Sequence, residues 1–317
     1  MEGAVLVENG GPRRLSVEEA ARHQGEGFLW IHLEGGDPPD LAILRQTDDI
    51  PDIAAAALVA TETRPRCDQI GDGALVNLRG PGELDPADSD RLVSIRMWVR
   101  RDRLISLSRR PMHATTSVFE FAAAGKVRDS GDLVSAYARE ISRALDPQVA
   151  ALGDRLDGCE SELDDGNLYR LRTEIARIRS EAIAFRRFVA PNRDALLELA
   201  RLDFDWLHQD DRLHIGEAAD RFARMAEELE AVRERAALLH EQLSDLRAEQ
   251  LDQRALLISI VAFIFLPLTF ITGLLGMNVE GIPFADEPWA FWGVVGFCVL
   301  VGLAVFAWFL RERWFRR

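Results

Sequence analysis

Several residues near the carboxyl terminus have types and spacing that could handle a small hydrophilic solute. Asp252, Ala255, Ser259, Ala262, Leu266, Thr269 and Gly273 fall on one helical stripe, which is smaller and more polar than its surroundings, where Phe263, Phe265, Phe270 and Leu274 dominate. Small and polar positions on an otherwise apolar helix favour either close helix packing or a water-filled path. A second set, His208, His214 and His240 with Asp210 and Asp211 nearby, invites a zinc reading. His208 and His214 do not have the i, i+4 spacing that puts two imidazoles on one helical face, so they read as surface histidines or as contributors to a zinc site shared between copies of the chain. Cys67, Cys159 and Cys298 are far apart and form no C-x-x-C pair, which gives neither a disulfide framework nor a thiolate zinc site. No phosphate-binding glycine loop, nucleophile elbow or combination of nucleophile, base and oxyanion donors stands out, so the chain does not read as an enzyme.

The stripe belongs to an apolar segment. Residues 255–279 and 288–310 contain no charged side chain, although the 317-residue chain as a whole has a mean hydropathy of −0.07. Each run exceeds the roughly 20 residues a helix needs to cross a bilayer core. Two spans per chain cannot enclose a conduit, so transport along the stripe requires several copies around it. Pro267 lies inside the first span and removes a hydrogen bond to the carbonyl of Phe263; the hydroxyls of Thr269 and Thr272 are near enough to matter, although ordinary kinking explains Pro267 alone.

Charge gives the expected orientation. Arg247 and Arg254 precede the first span, Arg311, Arg313, Arg316 and Arg317 follow the second, and the Glu280–Glu287 loop carries acids alone. Basic flanks mark the cytoplasmic side, so both termini are predicted cytoplasmic, with Trp289, Trp292, Trp308 and Trp314 at the interfaces. The amino terminus does not read as a secretory signal. Residues 255–317 sum to zero charge, which leaves the net −14 of the chain entirely in residues 1–254. Such an acidic part argues against nucleic acid as a partner and is compatible with cationic ligands.

The segments before the spans must position them. Strands are predicted at Ala4–Val7, Phe28–Leu33, Ala74–Leu78, Leu92–Val99 and Leu104–Leu107, and helices at Val17–His23, Leu41–Gln46, Ile53–Ala60 and Ala114–Ala123, with Gly71-Asp72-Gly73 as a turn. From Asp132 the pattern is helical: one helix to about Cys159, a second over Leu168–Val189, and a break at Pro191-Asn192-Arg193. Phe222, Met225, Leu229, Val232, Ala236, Leu239, Leu243, Leu246 and Gln250 alternate steps of three and four, the mark of a supercoiled seam. No Gly or Pro interrupts Glu217–Leu266, so a single helix from 217 to 275 is predicted, about 88 Å long, half stalk and half span.

With Gly276-Met277-Asn278 after Phe265-Leu266-Pro267-Leu268-Thr269-Phe270, at the outer end of the first of two C-terminal spans and before an acidic loop, the sequence resembles the CorA superfamily of divalent-cation transporters. Within it, Asn278-Val279-Glu280-Gly281-Ile282-Pro283 is similar to the loop of the ZntB-type zinc transporters, as are Glu62-Thr63-Arg64-Pro65-Arg66, Val93-Ser94-Ile95-Arg96-Met97-Trp98 and Glu234-Arg235-Ala236. Glu280 departs from the small residue that branch often carries.

The resemblance implies a homopentamer in the cytoplasmic membrane: an α+β cytoplasmic domain (1–130), a helical funnel and stalk (131–254), a pore-lining span (255–278), an outer loop (279–288), a second span (289–310) and a basic tail (311–317). It implies Gly276, Met277, Asn278 and Glu280 at the ion entrance, Asn278 facing a hydrated ion. Thr269 would form a polar ring, Leu266, Ala262, Ile258 and Ala255 would line the route inward, and Asp252 would sit near the inner mouth. Ile258 takes the place of Ser259 on the stripe. The amide and backbone oxygens suit a hydrated divalent ion better than direct soft ligation. The implied cargo is Zn²⁺, with proton-driven uptake, and without a resident cofactor. Mg²⁺, Co²⁺, Ni²⁺ and Cd²⁺ are further candidate cargoes. Two alternatives stay open: a CorA-type Mg²⁺, Co²⁺ and Ni²⁺ channel, and a membrane-tethered sensor or scaffold, which needs two spans and an acidic coiled stalk but no polar stripe.

Overall fold

A computed structural model describes residues 2–8, 11–35, 50–61, 64–83, 92–163, 168–277, 282 and 287–314. They divide into two compact units, Met1–His240 and Glu241–Arg317.

The first unit is built on a mixed seven-stranded sheet. Its strands are β1 (Gly3–Glu8), β2 (Gly11–Leu15), β3 (Phe28–Glu34), β4 (Arg66–Ile70), β5 (Gly73–Pro81), β6 (Leu92–Val99) and β7 (Arg103–Ser108), in the order β2-β1-β3-β7-β6-β5-β4. All neighbours are antiparallel except β3 and β7, which pair in parallel with Trp30 opposite Leu104 and His32 opposite Ser106. The predicted turn at Gly71-Asp72 joins β4 to β5, where Gly71 takes a φ of +60°, the left-handed conformation a two-residue hairpin loop needs.

Alternation along the strands gives the sheet two covered faces. Leu29, Ile31, Leu33, Leu75, Trp98, Ile105 and Leu107 face one way and pack with Ala20 of α1 (Val17–Ala21) and with Ala54 and Leu58 of α2 (Asp52–Val59). On the other face Trp30 stacks on Phe119 of α3 (His113–Ala123), with centroids 4.1 Å apart, and meets Tyr137 of α4 (Ser130–Ser161) edge-on. The predicted helix Leu41–Gln46 lies outside the described residues.

Two outer strands escape the pattern search, β2 and β4. Their residues are largely exposed or half-buried, so they lack the apolar alternation that marks the central strands.

Three helices continue from the sheet. These are α4, α5 (Leu168–Arg201) and α6 (Gln209–Leu275). The predicted break at Pro191 is not one: α5 runs through it. Proline removes one backbone hydrogen bond. Here tertiary contacts outweigh that loss, because Val189, Asn192, Ala195, Leu196 and Leu199 are buried. Asn192 also completes the backbone pairing of β5 beyond the end of β4, its Oδ1 accepting from Arg79 N at 2.9 Å and its Nδ2 donating to Arg79 O at 2.8 Å.

The heptad seam is buried from Phe222 through Leu239, and at Leu243, whereas Leu246 is 37% exposed and Gln250 is exposed. Charged pairs on its margins link the helices. Arg155 donates to Glu174 and Glu181, joining α4 to α5, Arg186 pairs with Glu230 at 2.9 Å, joining α5 to α6, and Arg235 reaches Asp157 and Glu160 at 2.6 Å each, joining α6 to α4. The helix starts at Gln209, eight residues before the predicted Glu217, because the chain reverses at Phe204–Leu207 and re-enters helix there.

Candidate ion pathway

The second unit contains the last part of α6 and α7 (Ala290–Trp314), both long and apolar enough to cross a membrane. Their apolar windows are unburied, as expected of helices whose surroundings are lipid and other copies. Within that exposure each helix has one half-buried line: Ile260, Ile264, Leu268, Ile271 and Leu275 on α6, and Ala290, Val294, Cys298, Val301 and Val305 on α7. These steps of three and four mark the faces the two helices turn to each other, with Phe263 and Trp308 in ring contact beside them.

The stripe takes the opposite side of α6. At about 100° per residue, Ala255, Ser259, Ala262, Leu266, Thr269 and Gly273 centre roughly 180° from the half-buried line. Ile258 and Ser259 flank the stripe centre on opposite sides, at about 60° and 40°. Leu266 and Ile258 are 71% and 68% exposed. Asp252, exposed just under one turn before the span, continues the same side.

Backbone bonding decides what the hydroxyls on and near the stripe can offer. Ser259 Oγ donates to Ala255 O at 2.8 Å, and Thr272 Oγ1 donates to Leu268 O at 2.9 Å. Their hydrogens are committed to the helix, so their lone pairs are left to accept from water. Of the two hydroxyls expected near the carbonyl freed by Pro267, that of Thr272 bonds the carbonyls of Leu268 and Thr269 instead. The helix passes Pro267 without ending.

Gly276 closes the last turn, its N–H donating to Thr272 O at 2.9 Å. The reason for glycine is closeness, not an unusual φ: an added Cβ would stand 3.0 Å from Thr272 O. Met277 is 48% exposed. Asn278 and Glu280, the remaining residues of the expected entrance, lie outside the described residues.

His208, His214 and His240 are not brought together as a ligand set. His208 and His214 are exposed and His240 is half-buried. His208 instead faces carboxylates: its Nε2 lies 3.9 Å from Asp129 Oδ2. Asp129, Asp132 and Asp211 hold carboxylate oxygens within 4.8 Å of one another, a grouping that sequence spacing could not reveal because 79 residues separate Asp132 from Asp211. Each is already used. Asp129 caps α4 by accepting from Asp132 N, Asp132 accepts from Arg128, and Asp211 accepts from His208 N. Burial, together with Asp129 and Asp132, pushes the Asp211 carboxyl above the ordinary range.

Comparison with known proteins places this architecture in one family. The family model described as "CorA-like Mg2+ transporter protein" matches residues 25–312, and the chain belongs to that family. Among its relatives, the divalent cation transporter CmaX of Pseudomonas aeruginosa is 35% identical, over 98% of this chain and 96% of that protein. The zinc transport protein ZntB of Pectobacterium carotovorum is 32% identical, over 90% of this chain and 87% of that protein. A solved structure of full-length CmaX superposes with a TM-score of 0.82 at 33% identity, covering 99% of this chain and 98% of that one.

Proposed function

We propose that the chain carries divalent cations, Zn²⁺ foremost, across the cytoplasmic membrane through an axial pore formed by the first spans of five copies, both termini being cytoplasmic. The observation that carries this reading is the position of the stripe. The side of α6 opposite its α7-covered line is the side with small and polar residues, which is the side a central conduit would use. Lipid-facing surface has no need of Ser259, Thr269 and Gly273 there.

In this reading the ion keeps its water. Dehydrating a small divalent cation is costly, and the stripe offers hydroxyl and carbonyl oxygens, not thiolate or imidazole ligands. The Asn278 amide meets the hydrated ion outside, with Glu280 adding negative charge. Thr269 supplies a polar ring and Leu266 an apolar constriction. Asp252 draws cations toward the inner mouth. The two named relatives divide on cargo: zinc in the name of one, divalent cations in that of the other. A broader range including Mg²⁺, Co²⁺, Ni²⁺ and Cd²⁺ is therefore the second reading, and proton coupling belongs to the same test.

The experiment is dye-reported flux into liposomes containing the purified chain, across that set of ions and with imposed pH gradients. Zn²⁺ flux should exceed that of Mg²⁺ and rise with an inward proton gradient. Asn278→Ala should reduce flux to the protein-free background while the protein remains pentameric by mass measurement. Normal flux in that variant, or a dimer without flux, would overturn the reading.

A further inference from the structure

Arg96 occupies the centre of β6 on the face of the sheet covered by α1 and α2. It stands opposite Asn77 of β5 and Leu107 of β7, and it is 3% exposed. Its Nε and Nη1 are fully buried and make no hydrogen bond among the described residues. A buried guanidinium normally has a carboxylate or several carbonyls around it, because removing its charge from water is far costlier than burying a neutral polar group. Among the described residues, the charged groups acting most on Arg96 have the same sign: Arg109 and Arg79. Burial first, then these two cations, lowers its pKa to about 10.

The register explains how the three meet. Arg79 is paired with Ser94, two residues from Arg96 along β6. Arg109 follows Ser108, the partner of Ile95, and so flanks Ser94 from the other side. The face thus carries two adjacent rows, Asn77–Arg96–Leu107 and Arg79–Ser94–Arg109. Exposure is graded across them, from exposed Arg109 through half-buried Ser94 and Arg79 to buried Arg96. The outer two guanidinium groups are anchored: Arg109 Nη2 donates to Val59 O at 2.8 Å, and Arg79 Nη2 donates to Leu92 O at 3.3 Å. Asn77 Nδ2 donates to Arg64 O at 2.7 Å, while its Oδ1 is buried without a partner among the described residues. The inner row therefore includes a neutral acceptor but no negative charge among the described residues.

We propose that this face of the cytoplasmic unit is an anion site, in which Arg96, flanked by Arg79 and Arg109, receives a phosphate-type oxyanion that enters past Arg109 and Ser94. A tetrahedral oxyanion has the acceptors that the unpaired N–H groups of Arg96 require, and its charge offsets that of the buried guanidinium. Because Arg109 also holds the last carbonyl of α2, occupancy would set how firmly that helix end is fixed to β7.

The test uses the full chain in detergent. Its thermal midpoint is followed while inorganic phosphate is titrated against potassium chloride at matched ionic strength, with adenosine monophosphate in a parallel series. The midpoint should rise saturably with phosphate by about 10 mM, since a ligand held by the folded form alone stabilises by mass action. Arg96→Met, of similar length but apolar, should weaken apparent phosphate affinity by roughly tenfold or more, as loss of a charge-assisted contact does. A response to the nucleotide at lower concentration than to phosphate assigns the phosphate group to a larger ligand; equal or weaker response assigns it to the free anion. Should Arg96→Met fail to fold, Arg109→Gln at the exposed rim reads the same loss. No rise beyond that in chloride, or an equal rise in wild type and both variants, would overturn the proposal and leave the charge of Arg96 to a carboxylate of the chain itself.

Discussion

The two halves of α6 are made from one unbroken helix yet solve opposite problems. Between Phe222 and Leu239 the apolar side chains repeat with heptad spacing and are buried within their own chain. Between Ala255 and Leu275 nearly the whole circumference is apolar, and no position is buried; only the line from Ile260 to Leu275 is half-covered. A narrow apolar seam states where a partner helix must lie. A helix that is apolar all round states only its solvent, and the rest must come from small departures such as Ser259 and Thr269.

The sharpest way to break this comparison is to truncate equal residues in each half. Phe222→Ala should destabilise the first unit by about 3–5 kcal/mol, because a fully buried ring leaves a cavity. Phe270→Ala, 69% exposed within the span, should change stability by no more than about 0.5 kcal/mol. Denaturant unfolding of the solubilised chain, followed by tryptophan fluorescence, measures both. Equal losses would mean that the two halves are packed alike.

Leu266→Asp addresses the stripe directly. In a pore-lining ring the change hydrates a constriction and adds negative charge, so basal cation conductance in planar bilayers should rise several-fold. Conductance equal to wild type, in protein that remains assembled, would remove Leu266 from the pathway.

Asp211→Asn probes the bundle half at finer scale. Because the folded carboxyl titrates above its ordinary value, ionising it costs stability as pH rises through and beyond that value. The asparagine keeps an acceptor for His208 N and loses the charge, so it should gain roughly 0.5–1 kcal/mol at pH 7 and no advantage at pH 3. A pH-independent difference between the two proteins would show that charge is not the cause. The smallest expected effect is Asp252→Asn, which should weaken the dependence of flux on Zn²⁺ presented at the stalk end of the span only at low salt, where screening beyond about 10 Å is incomplete.

Much of the architecture could be read from residue order, for physical reasons that vary by element. Central strands such as β3 and β6 are buried on both faces and therefore nearly continuous in apolar residues. Edge strands β2 and β4, with sequences GPRRL and RCDQI, are held by backbone pairing and carry little apolar signal. Pro191 is a local stop signal overruled by distant partners, since Asn192 bonds to Arg79, 113 positions earlier in the chain. The stripe was legible from size and polarity; its position opposite α7 was not, because Ile260, Ile264 and Leu268 look no different from the isoleucines and leucines that face outward. Arg96 stood in a recognisable motif, but only the register shows Arg79 and Arg109 on its face of the sheet.

The parallel contact between β3 and β7 also has a consequence for how the molecule acquires its shape. Strands β1 to β3 are consecutive, as are β4 to β7, and every pairing within each set is antiparallel and local. Only Leu29–Glu34 against Arg103–Ser108 joins the two sets, across 74 positions of chain. Hairpins close in microseconds, whereas contacts distant in sequence must first overcome the entropy of a large loop. During synthesis the first three strands therefore emerge well before their counterpart exists, and β3, with Trp30 and His32 among its residues, must wait with one edge bare. In a variant that keeps Trp30 as its one tryptophan, the change in emission as this fully buried side chain is enclosed is the natural clock for closure of that seam.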